Sequence, residues 1–413
     1  MKKLLLFITT TLFITMFAVN SFALEAEVDI HGFISQGYLK TSDYNFFGNT
    51  EEGTAQFNEI GLNISTEFTD ELRVGAQIFS KDFGSYGDNE VIVDWAFADY
   101  RAADWAGVRA GKIKTPHGLY NETRDVDMLR TSVLLPQSVY SEVLRDVNMS
   151  MHGVGFYGEF DMASAGSLSY QIIGGTQDVE GDTTSQAMYI MGLSSTSYTT
   201  DLQGDEIDVD KKYVVGLVWD TPLDGLRFGF TYDNTELSIK GTVLNTLPTL
   251  IPAGSTISAD INKLQNIVIS LEYTIDDFQI FGEYKRTDKE FDYTITSSGG
   301  TLLKQARVED DTYGWYVGTS YRINDLLVIG AYYSETKGAE EDTTGVTIDP
   351  EHRTYLKDTC VSTKFDITDN IIVKLEGHYI QGTEILSAFD QETDNTWSKD
   401  EWGMFACKFT YSF

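Results

Sequence analysis

The sequence is poor in basic residues, cysteine and proline, and beyond its first two dozen residues it has no long apolar run. Lys and Arg number 30 against 63 Asp and Glu, a formal net charge of −33. Removing Lys2 and Lys3 with an N-terminal leader takes this to −35. Such acidity excludes a nucleic-acid partner on electrostatic grounds. No stretch of roughly 18 apolar residues follows residue 23, which excludes a transmembrane helix but not a barrel, where only every second residue must be apolar. Acidity here is not a sign of disorder, because aromatics make up 13% of the chain and alternate regularly. Six prolines against 23 Tyr and 24 Phe fit a strand-rich protein with aromatic girdles. The five histidines (His31, His117, His152, His352, His378) lie in no Gly-x-Ser-x-Gly or His-Glu-x-x-His context.

What is present starts at the ends. Lys2 and Lys3 precede an apolar run from Leu4 to Val19, and Ser21-Phe22-Ala23 is a small-x-small cleavage site. Residues 1–23 therefore read as a signal peptide and 24–413 as the mature domain, with no nearby cysteine to make a lipoprotein. At the other end Phe405, Cys407, Phe409, Tyr411 and Phe413 fall on one side of a strand, and Met404, Ala406, Lys408, Thr410 and Ser412 on the other. An aromatic face opposite Lys408 suits lipid outside and water inside. This ending resembles the C-terminal signature of Gram-negative outer-membrane β-barrels, whose last strand closes on a terminal Phe.

Between the ends, alternating segments are joined by connections that are short and long in turn. The short ones are polar turns at 69–71, 103–106, 162–165, 221–225, 275–277, 323–325 and 368–370. Counting hairpins around them gives an all-β, antiparallel transmembrane barrel of about sixteen strands. They are expected to begin near 27, 55, 72, 90, 107, 153, 167, 211, 226, 264, 278, 311, 326, 354, 371 and 402. Closure leaves no strand edge in lipid. Cys360 and Cys407 fall on strands separated by another strand and on opposite faces, too far apart for a disulfide.

Residues 112–152 form the longest structured connection, between the fifth and sixth strands. They carry apolar anchors (Leu119, Leu129, Val133, Leu134, Leu135, Val139, Leu144) interleaved with Glu122, Arg124, Asp125, Asp127, Arg130, Glu142, Arg145 and Asp146. A loop in water has no reason to keep so many large apolar residues. Folded into the barrel, it packs its apolar side on the wall and turns its charges to the channel. The run Gly111-Lys-Ile-Lys-Thr-Pro-His-Gly-Leu119 resembles the strand-to-loop passage of Gram-negative porins, and Leu135-Pro-Gln-Ser138, Arg145-Asp146 and His31-Gly-Phe33 extend the likeness. The resemblance implies an inserted third loop that narrows the pore, a trimeric assembly, and those eight charged residues as constriction candidates. General porins set a mostly acidic loop against an arginine cluster, whereas this loop is mixed. Its Arg–Asp pairs then have a second reading, as braces that neutralise one another.

By parity Arg73, Arg109, Arg227, Arg322, Lys364, Lys374 and Lys408 point into the lumen, beside Glu376. Unpaired, they make a ring that attracts anions; paired with carboxylates, they are structural. Acids crowd the fourth loop (Asp178, Glu180, Asp182, Asp201, Asp205, Glu206, Asp208, Asp210) and the seventh (Glu340, Glu341, Asp342, Asp349, Glu351). They read as solvated loops, or as loose sites for divalent cations bridging to lipopolysaccharide. No resident cofactor is expected. The expected function is a passive channel for small hydrophilic solutes in the outer membrane, with a variant biased toward anions such as phosphate or dicarboxylates. A barrel enzyme, which needs a nucleophile and base together, and a plugged adhesive barrel are the alternatives.

Overall fold

A computed structural model describes residues 27–179, 183–192, 201–247, 251–338, 350–386, 391 and 398–413. Residues 1–23, expected as a signal peptide, and most of the seventh-loop acids lie outside these residues, as do Glu180 and Asp182. The strands are β1 (Val28–Thr41), β2 (Asn58–Glu67), β3 (Leu72–Asp82), β4 (Val91–Ala103), β5 (Ala106–Lys114), β6 (Ser150–Asp161), β7 (Ser167–Asp178) and β8 (Leu202–Asp220). They continue with β9 (Leu226–Val243), β10 (Thr256–Ile275), β11 (Phe278–Thr296), β12 (Leu302–Arg322), β13 (Leu327–Lys337), β14 (Tyr355–Thr368), β15 (Ile371–Gly382) and β16 (Glu401–Ser412). Each pairs antiparallel with its sequence neighbours, and β1 pairs with β16 from Phe33↔Ser412 to Thr41↔Met404, closing a sixteen-strand barrel. Gly32 and Phe413 exchange backbone hydrogen bonds at the seam, at 3.0 and 2.9 Å.

All seven expected short turns are present. Around them lie exposed aromatics (Trp105, Phe160, Trp219, Phe228, Tyr411, Phe413), with Phe160–Tyr170, Trp219–Phe228 and Tyr411–Phe413 stacked. This is the aromatic girdle of one membrane interface. Cys360 faces in and Cys407 faces out, and both are free thiols.

Three strands start well before their expected positions: β8 at 202, β10 at 256 and β12 at 302. The five strands β8 to β12 run 18 to 21 residues. About 9 to 11 suffice to cross the hydrocarbon. In the added lengths the alternation inverts. Ion pairs Lys211–Glu236 (2.8 Å), Lys240–Glu206 (2.7 Å) and Arg286–Asp311 (3.6 Å) occupy the outer face. Ile207, Val209, Leu237, Ile239, Ile261 and Phe291 fill the inner one, packed on Ala187 and Met188 of helix α2 (Thr183–Ile190). (A short helix α1, Arg145–Met149, precedes it in the chain.) Asp205, Glu206, Asp208 and Asp210 therefore belong to β8 rather than to a loop, and Asp178 ends β7. Their polarity hid the strand, because a strand standing in water shows its acids outward and its apolar side chains inward.

The inversion marks where lipid ends. Ile269, 54% exposed on the outer face of β10, lies on the lipid side. Ile269→Lys is expected to destabilise the folded barrel in vesicles by about 2–4 kcal/mol. Ser238→Lys, set between Asp208 and Asp260 on the outer face of the extension, is expected to leave stability unchanged or slightly raised. Denaturant unfolding of the two variants in lipid vesicles checks this.

The inserted loop as candidate constriction site

Residues 115–149, between β5 and β6, lie inside the barrel. Asn121 clips the two ends together, its amide donating to Thr115 O and Asn148 O, both at 2.9 Å. Pro136 starts a tight turn whose carbonyl accepts the amides of Val139 and Tyr140. Where the loop meets the wall, the wall is bare backbone. A Cβ on Gly314 of β12 would stand 2.1 Å from Ser138 O, and one on Gly330 of β13 would stand 2.2 Å from the Thr131 hydroxyl. Only glycine permits that approach.

The loop's charges are mostly turned away from water. Arg124, Asp125, Asp127, Glu142 and Arg145 are buried, and Glu122, Arg130 and Asp146 are half-buried. Arg124 Nε donates to Glu142 at 3.2 Å and its Nη2 to Tyr140 O at 3.0 Å, closing the loop on itself. Glu122 accepts from Gln171 of β7 at 2.9 Å. Arg145 lies 2.9 Å from Asp125, 3.5 Å from Asp94 of β4 and 3.5 Å from Asp146, over the Phe79 ring at 4.3 Å. Lys114 reaches Asp125 at 3.0 Å, and Lys81 of β3 reaches Asp146 at 3.6 Å.

Asp127 anchors the far side. It lies 3.3 Å from Lys374 of β15, 2.7 Å from Lys408 of β16 and 3.1 Å from Arg130, and it accepts the Thr410 hydroxyl at 2.8 Å. Burial pushes its carboxyl up, but Lys374 and Lys408 outweigh that and hold it far below the usual carboxylate range. Burial is likewise outweighed at Glu142, held low chiefly by Arg124. Glu376 of β15 accepts the amides of Val133 (2.6 Å) and Leu134 (3.2 Å).

The expectation that apolar residues pack on the wall while charges face the channel is met on its first half. Val133, Leu134, Leu135 and Val139 are buried, but Leu129 is 60% and Val126 44% exposed, both toward the lumen. The apolar residues present the free surface there and the charges make the joints.

Every lumen-facing base named from parity has a carboxylate within 4 Å. Arg73 and Arg109 share Asp99, Arg227 meets Glu272, Arg322 and Lys364 share Asp366, Lys374 meets Asp127, and Lys408 meets Glu59 as well as Asp127. Seven bases thus share five carboxylates, so the ring is largely paired in place and keeps a formal excess of two positive charges.

Several anchors escaped the sequence reading. Glu283 of β11 accepts the hydroxyls of Tyr140, Tyr316 and Ser270 and the Leu119 amide. Glu272 of β10 accepts the Tyr120 hydroxyl at 2.8 Å, and Lys212 of β8 donates to Val147 O at 2.6 Å. Glu272 carried a legible signal, a lone charge at lumen parity between the lipid-facing Leu271 and Tyr273, whereas Lys212 beside Lys211 did not. On the short-turn side of the loop is a cavity of about 330 Å³ lined by Tyr120, Leu129, Arg130, Lys364 and Tyr332. On the other side one of about 90 Å³ is lined by Asn148, Lys285, Lys289 and Glu384.

Comparison with known proteins agrees with this architecture. The profile of a family described as Gram-negative porin matches residues 9–353. No curated protein matches the sequence. Among solved structures, OmpT of Vibrio cholerae is 15% identical, with a TM-score of 0.55 over 94% of this chain and 98% of that one. A trimer form of the same protein matches at 14% identity and 0.52, over 94% and 99%. An anion-selective porin from Comamonas acidovorans is 10% identical, with a TM-score of 0.53 over 94% and 100%. OmpF of Salmonella typhi, in complex with daunomycin, is 16% identical, with a TM-score of 0.53 over 94% and 98%.

Proposed function

The chain belongs to the Gram-negative porin family, an outer-membrane channel for passive diffusion of small hydrophilic solutes, and from that premise we propose that residues 115–149 set its aperture as a size sieve with little charge preference of their own. The observation that carries this is the loop's attachment. Its side chains and backbone bond to strands on every side of the lumen, from Asp94 of β4 through Glu283 of β11 to Lys374 of β15. A segment strapped across a barrel limits what crosses it. Its charges are spent on those straps, so the free edge is the apolar pair Val126 and Leu129.

The test uses Leu129→Cys in single-channel recording. A bulky thiol reagent is expected to cut the current in discrete steps, while the unsubstituted protein, with Cys360 buried and Cys407 facing lipid, stays unaffected. Full current after complete labelling removes the loop from the constriction. Under a salt gradient the reversal potential is expected to lie close to zero, and a strong preference of either sign contradicts a charge-neutral sieve.

We further propose a homotrimer, supported by the trimer form of the Vibrio cholerae relative, and export through the periplasm with loss of residues 1–23. No covalent step is proposed. Loose divalent cations at exposed acids such as Glu351, in contact with lipopolysaccharide, remain part of the same reading.

A further inference from the structure

β14 and β15 bring four chemically distinctive side chains to one lumen-facing patch. Cys360 stands directly opposite His378, with Asp358 and Glu376 each two residues away on the same face. All four are buried. His378 Nδ1 lies 2.9 Å from Asp358 Oδ1, and the Tyr332 hydroxyl donates to Asp358 Oδ2 at 3.0 Å. A carboxylate on Nδ1 holds a proton on that nitrogen, and Nε2 then carries either a second proton or a metal ion. Nε2 is buried and has no hydrogen-bond partner. It lies 3.1 Å from Glu376 Oε1, and Cys360 Sγ lies 4.0 Å from Glu376 Oε2. The three donor atoms all lie within 4.8 Å of one another.

An imidazole nitrogen 3.1 Å from a carboxylate oxygen takes a positive charge between them, a proton or a metal ion, and the angle there does not make a hydrogen bond. Among the described residues the only ion-pair partner of Asp358 or Glu376 is His378 itself. We propose that Cys360, His378 and Glu376 bind a divalent ion of the zinc class, with Asp358 as the positioning residue that orients the imidazole. Thiolate, imidazole and carboxylate are the donors such an ion takes, at about 2.0–2.3 Å. Tetrahedral ligands at those lengths stand roughly 3.3–3.7 Å apart, so the imidazole and carboxylate already stand close to ligand spacing while the Cys360 thiol has to close in on them. On binding, the Cys360 thiol gives its proton to solvent, and thiolate plus Glu376 carboxylate then balance the ion's two charges. The fourth position is left for water. The cavity of about 330 Å³ reaches Tyr332 and Ser362 beside the cluster and supplies the entry path. Because Glu376 also holds the amides of Val133 and Leu134, the ion shares a ligand with the seat of the inserted loop.

The test is made on the folded full-length protein in detergent, without reference to conductance. Titration with Co²⁺ is expected to give a sulfur-to-cobalt charge-transfer band that saturates at one ion per chain and is displaced by Zn²⁺. Cys360→Ser, a one-atom change, is expected to abolish the band, and Cys407→Ser to retain it. His378→Asn is expected to weaken binding at least tenfold, and Asp358→Asn about 10- to 100-fold while keeping the band. Resistance of each variant to unfolding on an unheated gel confirms that it is folded. Absence of the band, or its persistence in Cys360→Ser, overturns the proposal and leaves His378 as a protonated bridge between two carboxylates.

Discussion

Asp127→Ala is expected to free the inserted loop from the barrel wall. The substitution takes the carboxylate partner from Lys374 and Arg130 and one of two from Lys408, which keeps Glu59. Lys374 and Lys408 are almost wholly buried, and the loop covers them. Breaking a buried pair by removing one partner costs about 3–5 kcal/mol, because the remaining charge has neither partner nor water. Here the wall can recover that energy only by admitting water, which means displacing residues 126–133. The sixteen-strand ladder does not depend on Asp127, so the barrel should persist while the loop does not. The expected readouts are a larger and noisier single-channel conductance and new protease cleavage within 115–149, with the folded barrel still resistant to mild heating in detergent. Unchanged current together with an uncleaved loop would remove Asp127 from loop docking.

The same joint has a pH signature. Asp127 is held below its unfolded value, so its contribution is complete above the unfolded carboxylate pKa of about 4 and declines as pH falls toward the depressed folded value. Wild-type conductance is therefore expected to be flat from neutral pH to about pH 4, with loop release only in stronger acid.

The barrel was legible because membrane crossing forces the simplest of patterns. Phe405, Phe409 and Tyr411 must meet lipid and Lys408 must not, so the period of two is written into each short strand. That rule lapses where strands leave the membrane. On β8, Asp205 to Asp210 face water on the outside and Ile207 and Val209 face a packed interior, so the text there reads as an acidic loop. The inserted loop was legible as an insertion from its large apolar residues. The direction of its side chains was not. Whether Arg124 meets water or Glu142 is decided by a fold of the loop that no strand periodicity encodes, and by wall partners up to 283 residues away, as for Asp127 and Thr410. Lone acids such as Glu283 were within reach of parity, but only contact with Tyr140 reveals their task.

Arg145→Met is expected to have an effect as large as that of Asp127→Ala, with the opposite response to acid. Arg145 is 1% exposed and faces Asp94, Asp125 and Asp146, a set that only a planar, forked cation can serve together. Methionine fills the volume over Phe79 but leaves three carboxylates with Lys114 and Lys81. Loss of about 3–5 kcal/mol of docking follows at neutral pH. Without the guanidinium, Asp94, Asp125 and Asp146 face one another with one cation fewer, which raises the Asp125 carboxyl from its depressed state, so acid now relieves the strain by protonating the cluster. The variant should therefore regain protease resistance of the loop as pH is lowered through the range in which the wild type shows no change. Asp125→Asn on top of Arg145→Met should recover part of the loss even at pH 7, because the two sites are in contact and their effects do not add. Arg145→Lys should rescue less than that double variant, since one ammonium cannot span three acids. If Arg145→Met keeps wild-type conductance and an uncleaved loop at pH 7, the cluster does not hold the loop. Its charges would then be balanced by the two lysines alone.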